Sequence, residues 1–329
     1  MHILIIGAAG MVGRKLTQAL LATGTLNDSP ITTLTLADVV TPETPDAPGI
    51  AIDARAVDIS RAEVAEDLAA LRPDVIFHLA AIVSGEAEQD FEKGYAINLD
   101  GTRFLFEAIR AQSDRERYCP RVVFTSSIAV FGAPFPNRIG DEFFLTPRTS
   151  YGTQKAIGEL LLADYSRRGI LDGVGIRLPT ICIRPGKPNK AASGFFSSIL
   201  REPLVGLPAV LPVEDSVRHW HASPRAAVGF LLHAARIDTA ALGHRRSLNM
   251  PGLSATVAEQ IEALRRAAGD KAVALIRREP DPMVAEMVDG WARDFDTSRA
   301  VSLGFEAERS FAEIIAIHIE DELGGQLPG

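Results

Sequence analysis

Cysteine is almost absent from this chain. Its 329 residues include two, Cys119 and Cys182, too few for a disulfide framework and without metal-ligand spacing. A reducing compartment fits that usage, and a cytoplasmic protein is expected. Long apolar runs are missing as well. No uninterrupted stretch approaches the roughly 20 residues that span a bilayer. The short run at residues 3–6 has no charged segment before it and no small-residue cleavage site after it, so neither membrane anchor nor signal peptide is expected. Positive charge is in deficit. The net charge of -8 argues against nucleic acid as a partner for the surface as a whole. Internal repeats and low-complexity segments are lacking too. With 47% hydrophobic and 23% charged residues, the composition is that of a globular protein with a sizeable core.

What is present is an alternation of strand-like and helix-like segments. Residues 3–6 are wholly apolar, as a central parallel strand buried on both faces requires. Residues 11–23 read as a helix, 33–37 as a strand ending at Asp38, and the Pro-rich stretch 41–49 as a surface loop. A strand at 51–57, a helix at 61–71 and a strand at 75–79 follow. Next come a long helix at 91–111, a strand at 121–125, a helix at 150–168 and a strand at 174–178. This rhythm predicts an α/β fold, a Rossmann-type doubly wound parallel sheet. The pattern changes at 179–212, rich in Pro, Gly and small polar residues, with one amphipathic piece at 195–200. A helix at 225–235 and a short strand at 247–249 follow. Capping boxes at Thr256 to Glu259 and Ser310 to Glu313 open two later helices. The expected layout is a core of residues 1–178, completed by about 222–250. Residues 179–221 and 251–329 form a smaller substrate-binding lobe.

Between the first strand and first helix stands Gly7-Ala8-Ala9-Gly10-Met11-Val12-Gly13. The spacing G-x-x-G-x-x-G suits a tight turn, close backbone approach to a pyrophosphate, and a helix N-terminus aimed at the anion. Gly7, Gly10, Met11, Val12 and Gly13 are the candidates for that contact. Asp38, at the end of the second strand, is placed to accept from ribose hydroxyls. A carboxylate there repels a 2′-phosphate, and Val39-Val40-Thr41-Pro42 offers no compensating cation; NAD is therefore favoured over NADP. Asp58, after the third strand, either accepts from the adenine amine or caps the next helix.

The run Val122 to Gly132 delivers Ser126 and Ser127 to the carboxyl end of the fifth strand, the edge where open α/β sheets bind ligands. In Thr149-Ser150-Tyr151-Gly152-Thr153-Gln154-Lys155, one helical turn separates Tyr151 from Lys155. An ammonium beside a phenol favours the phenolate, giving a base able to take an alcohol proton near neutral pH.

Taken together, Gly7, Gly10 and Gly13, Asp38, His78-Leu79-Ala80-Ala81, Asn98, Ser127, and Tyr151 with Lys155 resemble the extended short-chain dehydrogenase/reductase family. That family includes nucleotide-sugar epimerases and dehydratases. The resemblance covers nearly the whole Rossmann core. It implies Tyr151 as acid/base, Lys155 on the nicotinamide ribose and Ser127 on the reacting oxygen. Leu79 and Ala80 line the cofactor, Pro179 and Thr180 face the nicotinamide, and Asn98 bends a helix. It also implies a homodimer built on the helices at 91–111 and 150–168.

The substrate expectation comes from the second half. Val217-Arg218-His219-Trp220-His221-Ala222-Ser223-Pro224, the segment 183–198 and the segment 248–254 are similar to those of family members that oxidise the C2 hydroxyl of a four-carbon sugar acid. Arg218 could grip a carboxylate with its planar fork. Ser84, Asn189, Lys190 and Ser193, with Ser127 and Tyr151, are the further candidates for contacts to substrate. His219 and His221 are expected as one packed and one exposed residue, and no metal is expected, since no third ligand stands nearby. A nucleotide-sugar epimerase or dehydratase with tightly bound NAD is the alternative.

Overall fold

Apolar strands with both faces covered make the centre of this protein. A computed structural model describes residues 1–115, 117–186 and 192–327. In chain order the main elements begin with β1 (His2–Ile6), α1 (Met11–Thr23), β2 (Thr33–Asp38), β3 (Ala51–Ala56), α2 (Ala62–Ala70) and β4 (Val75–His78). Then come α3 (Ser84–Gln89), α4 (Phe91–Gly94), a π-helical turn (Tyr95–Asp100), α5 (Gly101–Arg115), β5 (Arg121–Ser127), α6 (Ser150–Arg167) and β6 (Asp172–Leu178). β7 (Thr180–Ile181), α7 (Phe195–Leu204), β8 (Ala209–Leu211), β9 (Arg218–Ala222), α8 (Pro224–Ala234) and β10 (Ser247–Asn249) follow. The chain ends with β11 (Leu253–Thr256), α9 (Val257–Val273), β12 (Ile276–Arg278), α10 (Pro282–Asp289), α11 (Ser298–Ser302) and α12 (Phe311–Leu323).

Seven strands form one sheet in the order β10-β6-β5-β4-β1-β2-β3. The pairs β1–β2, β1–β4, β2–β3 and β4–β5 are parallel. The order reverses between β1 and β4, the switch point of a doubly wound sheet. Register sets Ile6 beside Ala37 and His78, and His78 beside Phe124. Gly7, Asp38, Leu79 and Thr125 therefore lie along one common edge of the sheet. The central strands are buried almost throughout, whereas β3, at the sheet's end, has no fully buried residue.

Contacts divide the chain into two units. The first, Met1–Val130, Pro147–Arg177 and Val228–Leu248, contains the sheet. Its core packs Leu4, Ile76, Val122 and Phe124 against Phe106 and Leu162 of the covering helices. The second unit is Phe131–Thr146, Leu178–Ala227 and Asn249–Gly329. It holds a three-stranded sheet, β11-β9-β7, and the parallel pair β8–β12. Phe196 and Leu200 of α7, Leu264 of α9 and Ile315 of α12 fill its core. Among the described residues, no helix is long and apolar enough to cross a membrane.

Local sequence explains most boundaries. α1 runs over the predicted residues and stops at Gly24, whose φ of 66° is a left-handed cap. Thr256 and Glu259 form both arms of a capping box. At Ser310 only one arm forms as expected: its hydroxyl accepts from Glu313 N, while the Glu313 carboxylate accepts from Arg309 N, one residue early. The long helix expected at 91–111 is not one α-helix. It is widened between α4 and α5, because Asn98 turns inward. Its Oδ1 accepts from Ile82 N (2.9 Å), and its Nδ2 donates to Ile82 O (3.2 Å) and Gln154 Oε1 (2.8 Å). Satisfying a neighbouring loop in this way favours a turn of i→i+5 bonds.

α6 lies unusually close to the strand it follows. Thr149 caps it by accepting from Gly152 N at 3.0 Å. A Cβ on Gly152 would overlap the Ala129 carbonyl, and one on Gly158 would sit 2.7 Å from the Phe124 ring. Gly152→Ala gains about 1 kcal/mol of helix propensity but overpacks the contact at a cost of about 1–3 kcal/mol. The expected outcome is a lower thermal midpoint; a raised midpoint would show that the first turn of α6 is not held against Ala129.

Candidate active site

The turn after β1 is built by what glycine lacks. Gly7 has φ 95°, and a Cβ there would lie 2.7 Å from Ala80 N; one on Gly13 would overlap Gly7 O. Gly7 N and Ala8 N both donate to Ala37 O, at 2.8 and 3.1 Å. Gly10 is the N-cap of α1 and offers no side-chain cap, so the first-turn N–H groups of Met11, Val12 and Gly13 point outward without a capping side chain. Asp38 Oδ2 accepts from Ala9 N at 2.9 Å, which pins the carboxylate beside the loop. Val39 and Val40 are exposed. Leu79 N and Ala80 N donate to Ile6 O at 2.8 and 2.9 Å, fixing the floor under the glycines. Asp58 Oδ1 accepts from Ser60 N (3.0 Å) and Ser60 Oγ (2.7 Å). It shapes the turn before α2, whose N-cap position is Arg61. A tight glycine cradle, an uncapped helix N-terminus and a carboxylate at the strand end match a dinucleotide's pyrophosphate and ribose.

The Ser127, Tyr151 and Lys155 set lies in the same unit. Ser127 ends β5, half-buried, with its Oγ accepting from Ala129 N at 3.1 Å. Tyr151 is half-buried in the first turn of α6. Lys155 is 2% exposed, and its Nζ lies 4.9 Å from the Phe124 ring centroid and 5.9 Å from that of Tyr151. Burial pulls the amine down to about 8, against an opposing pull from the Glu159 carboxylate. Ser126 faces away from this chemistry: its hydroxyl donates to Glu159. His78, at the end of β4, is 1% exposed. Thr102 Oγ1 donates to Asn98 O, so it must accept from His78 Nε2 (2.9 Å), which fixes the tautomer. Burial, with the nearby Lys155 charge, holds this ring neutral, at about 3. Ser84 opens α3. Glu88 of the same helix accepts from Ser150 N, at the start of α6.

The remaining candidates lie in the second unit. Pro179 is buried, and Thr180 Oγ1 is 2.7 Å from His219 Nε2. Ser193 Oγ accepts from Arg184 Nη2 at 3.2 Å. Asn189 and Lys190 lie outside the described residues. Arg218 is half-buried and engaged: Nη1 donates to Ser254 O at 2.9 Å, and Nη2 lies 3.4 Å from Glu259 Oε2. The expectation of one packed and one exposed histidine is corrected. Positions two apart share a strand face, and His219 and His221 are both buried, at 3% and 0% exposure. His219 stacks on Phe196, and His221 meets it edge-on. Burial drives both rings neutral, His219 to about 3.

Sequence reasoning passed over Glu159, Arg177 and Gln154. A carboxylate four residues beyond Lys155 on an otherwise packed helix face was the available signal for the first.

A family profile, the NAD dependent epimerase/dehydratase family, matches residues 3–240. The chain belongs to this family. Among its family relatives, the D-erythronate dehydrogenase of Cupriavidus necator is 45% identical over 325 residues, 98% of each chain. That of Haemophilus influenzae is 40% identical over 323 residues, 98% of this chain and 100% of the relative. A crystal structure from Agrobacterium tumefaciens, described as a nucleoside-diphosphate-sugar epimerase, is 69% identical with a TM-score of 0.98, covering 100% of this chain and 96% of that one.

The buried amine carries a stability consequence. A lysine whose folded value sits below its ordinary 10.5 destabilises the fold wherever the unfolded chain is charged, and the penalty fades as pH climbs from about 8 towards 10.5. Lys155→Met is therefore expected to be more stable at pH 7, by on the order of 3 kcal/mol, and to unfold at a higher temperature, with the advantage shrinking in alkaline buffer. Calorimetry across pH checks it; a variant less stable at pH 7 contradicts it.

Proposed function

We propose that this chain is an NAD-dependent dehydrogenase that oxidises the C2 hydroxyl of a small sugar acid, D-erythronate, to 2-dehydro-D-erythronate (2-oxo-tetronate). The observation that carries this reading is the end-to-end similarity to two D-erythronate dehydrogenases, in a chain that keeps Ser127, Tyr151 and Lys155 together in one unit. NAD, when bound, accepts the hydride from C2. Gly7, Gly10, Met11, Val12 and Gly13 receive the pyrophosphate, Asp38 the ribose diol and Asp58 the adenine amine. Leu79, Ala80, Pro179 and Thr180 line the rest. Tyr151 Oη takes the C2 hydroxyl proton as the C–H bond breaks and the carbonyl forms. Ser127 donates to the reacting oxygen, and Lys155 supports the phenolate and the nicotinamide ribose. Ser84, Asn189, Lys190 and Ser193 contact substrate hydroxyls, and Arg218 takes the carboxylate.

The description attached to the Agrobacterium tumefaciens structure favours a second reading, a nucleotide-sugar epimerase that keeps and recycles its NAD. Stoichiometric NADH from a free sugar acid separates the two. We also propose a cytoplasmic homodimer. Phe91 on α4 and Leu160 on α6, 60% and 64% exposed, support pairing through these helices, and light scattering tests it.

Tyr151→Phe is expected to lower turnover about a thousandfold while NADH binding, followed by fluorescence, stays close to wild type. Turnover near the wild-type rate would remove Tyr151 from its role. Arg218→Ala is expected to raise the substrate KM at least about tenfold with kcat little altered. An unchanged KM would dismiss Arg218 as the carboxylate anchor.

A further inference from the structure

The chemistry above leaves a buried ion pair without a part. Glu159 stands one turn beyond Lys155 on α6, as Lys155 stands one turn beyond Tyr151, so the three share a stripe of the helix. Glu159 is 4% exposed and Arg177, on β6, 5%. Arg177 Nε donates to both Glu159 oxygens, at 2.9 and 3.1 Å, and Nη2 donates to Oε2 at 2.8 Å. The Ser126 hydroxyl donates to Oε1. Stability alone is a weak reason for this arrangement, because buried ion pairs are often replaceable by apolar side chains at no loss.

The pair does have an electrostatic use. Lys155 and Glu159 form no direct ion pair. Arg177 and Ser126 saturate the carboxylate, so it cannot draw the ammonium away, yet its charge remains one turn away. We propose that Glu159, clamped by Arg177 and Ser126, is a positioning residue that holds the positive charge of Lys155 in place behind Tyr151. This rests on the reading of Tyr151 as the base. An amine in so dry a place tends to lose its proton, and the carboxylate opposes that loss. With the charge gone, the phenol loses the neighbour that makes it acidic.

The other groups around Lys155 do not substitute for Glu159. His78 is neutral and its ring abuts Phe124. Glu88 is exposed at the outer end of α6. Glu86 is paired with Lys93 at 2.6 Å. Tyr95 and Asp100 of the π-helical turn are half-buried, as are Glu107 and Arg110 of α5, while Arg103 and Asp114 are exposed.

The test compares the full-length wild type with Glu159→Gln/Arg177→Gln and with Glu159→Asp. The double variant removes both charges and strands neither. Each protein is titrated by phenolate absorbance against its own Tyr151→Phe counterpart, a readout that needs no substrate. In wild type the Tyr151 midpoint is expected below the ordinary phenol value of about 10. In the double variant it should rise by at least about one pH unit, a tenfold loss of phenolate at neutral pH. The acid limb of kcat/KM should move with it, and Glu159→Asp should keep the wild-type midpoint. A folded double variant with an unchanged midpoint overturns the inference, as does an ordinary midpoint in wild type or a uniform loss of kcat/KM at every pH. A wild type that titrates low but oxidises no sugar acid sinks the functional reading and leaves this inference standing.

Discussion

A lysine ammonium taken almost entirely out of water is the constraint around which the first unit is organised. The aromatic faces of Phe124 and Tyr151 lie within cation–π reach of Lys155 Nζ, and the nearest carboxylate is already committed to Arg177. The burial itself follows from glycine. Because Gly152 and Gly158 carry no side chain, α6 settles onto the end of β5 and onto Phe124, and its inner face is sealed. A bulkier residue at either position would lift the helix and admit water to Lys155. The dryness of the amine and the packing of α6 are here one geometric fact.

The same economy holds at the other end of the sheet edge. Gly7 sits so close to Ala80 that the loop, the floor strand and the start of α1 form a single rigid piece. Donors that would otherwise need a capping side chain stay available for an anion. Asp38 fixes the loop by accepting from Ala9 N. A substitution there would remove the acceptor that holds Ala9 N and so disturb the loop geometry.

How much of this could be read from residues alone depended on range. α1, the apolar strands and the cap at Thr256 were legible because their signals are local: a glycine stop, a run without charge, a four-residue box. The glycine loop and the Tyr151–Lys155 pair were legible for the same reason. The π-helical turn at Tyr95–Asp100 was not legible from periodicity, since one extra residue in a turn leaves the apolar period intact over so short a span; only the family resemblance, through Asn98, implied a bend there. Its cause, Asn98 reaching Ile82 and Gln154, lies 16 and 56 residues away. The pairing of Arg218 with Ser254 and Glu259 depends on a strand register between β9 and β11 that no periodicity encodes. His219 and His221 were misjudged for a simpler reason. Alternation places both on one face, and a face built from Phe196, Trp291 and Phe311 accepts two neutral imidazoles as readily as any other rings.

The disagreement between names attached to similar proteins reduces to a physical question about hydride. An epimerase returns the hydride it removes, so its intermediate must stay in place and its cofactor must not leave. A dehydrogenase of a small acid releases both. Nothing in the Ser127, Tyr151 and Lys155 geometry chooses between these, because proton abstraction from an alcohol is the first step of each. The choice lies in how firmly dinucleotide and product are retained.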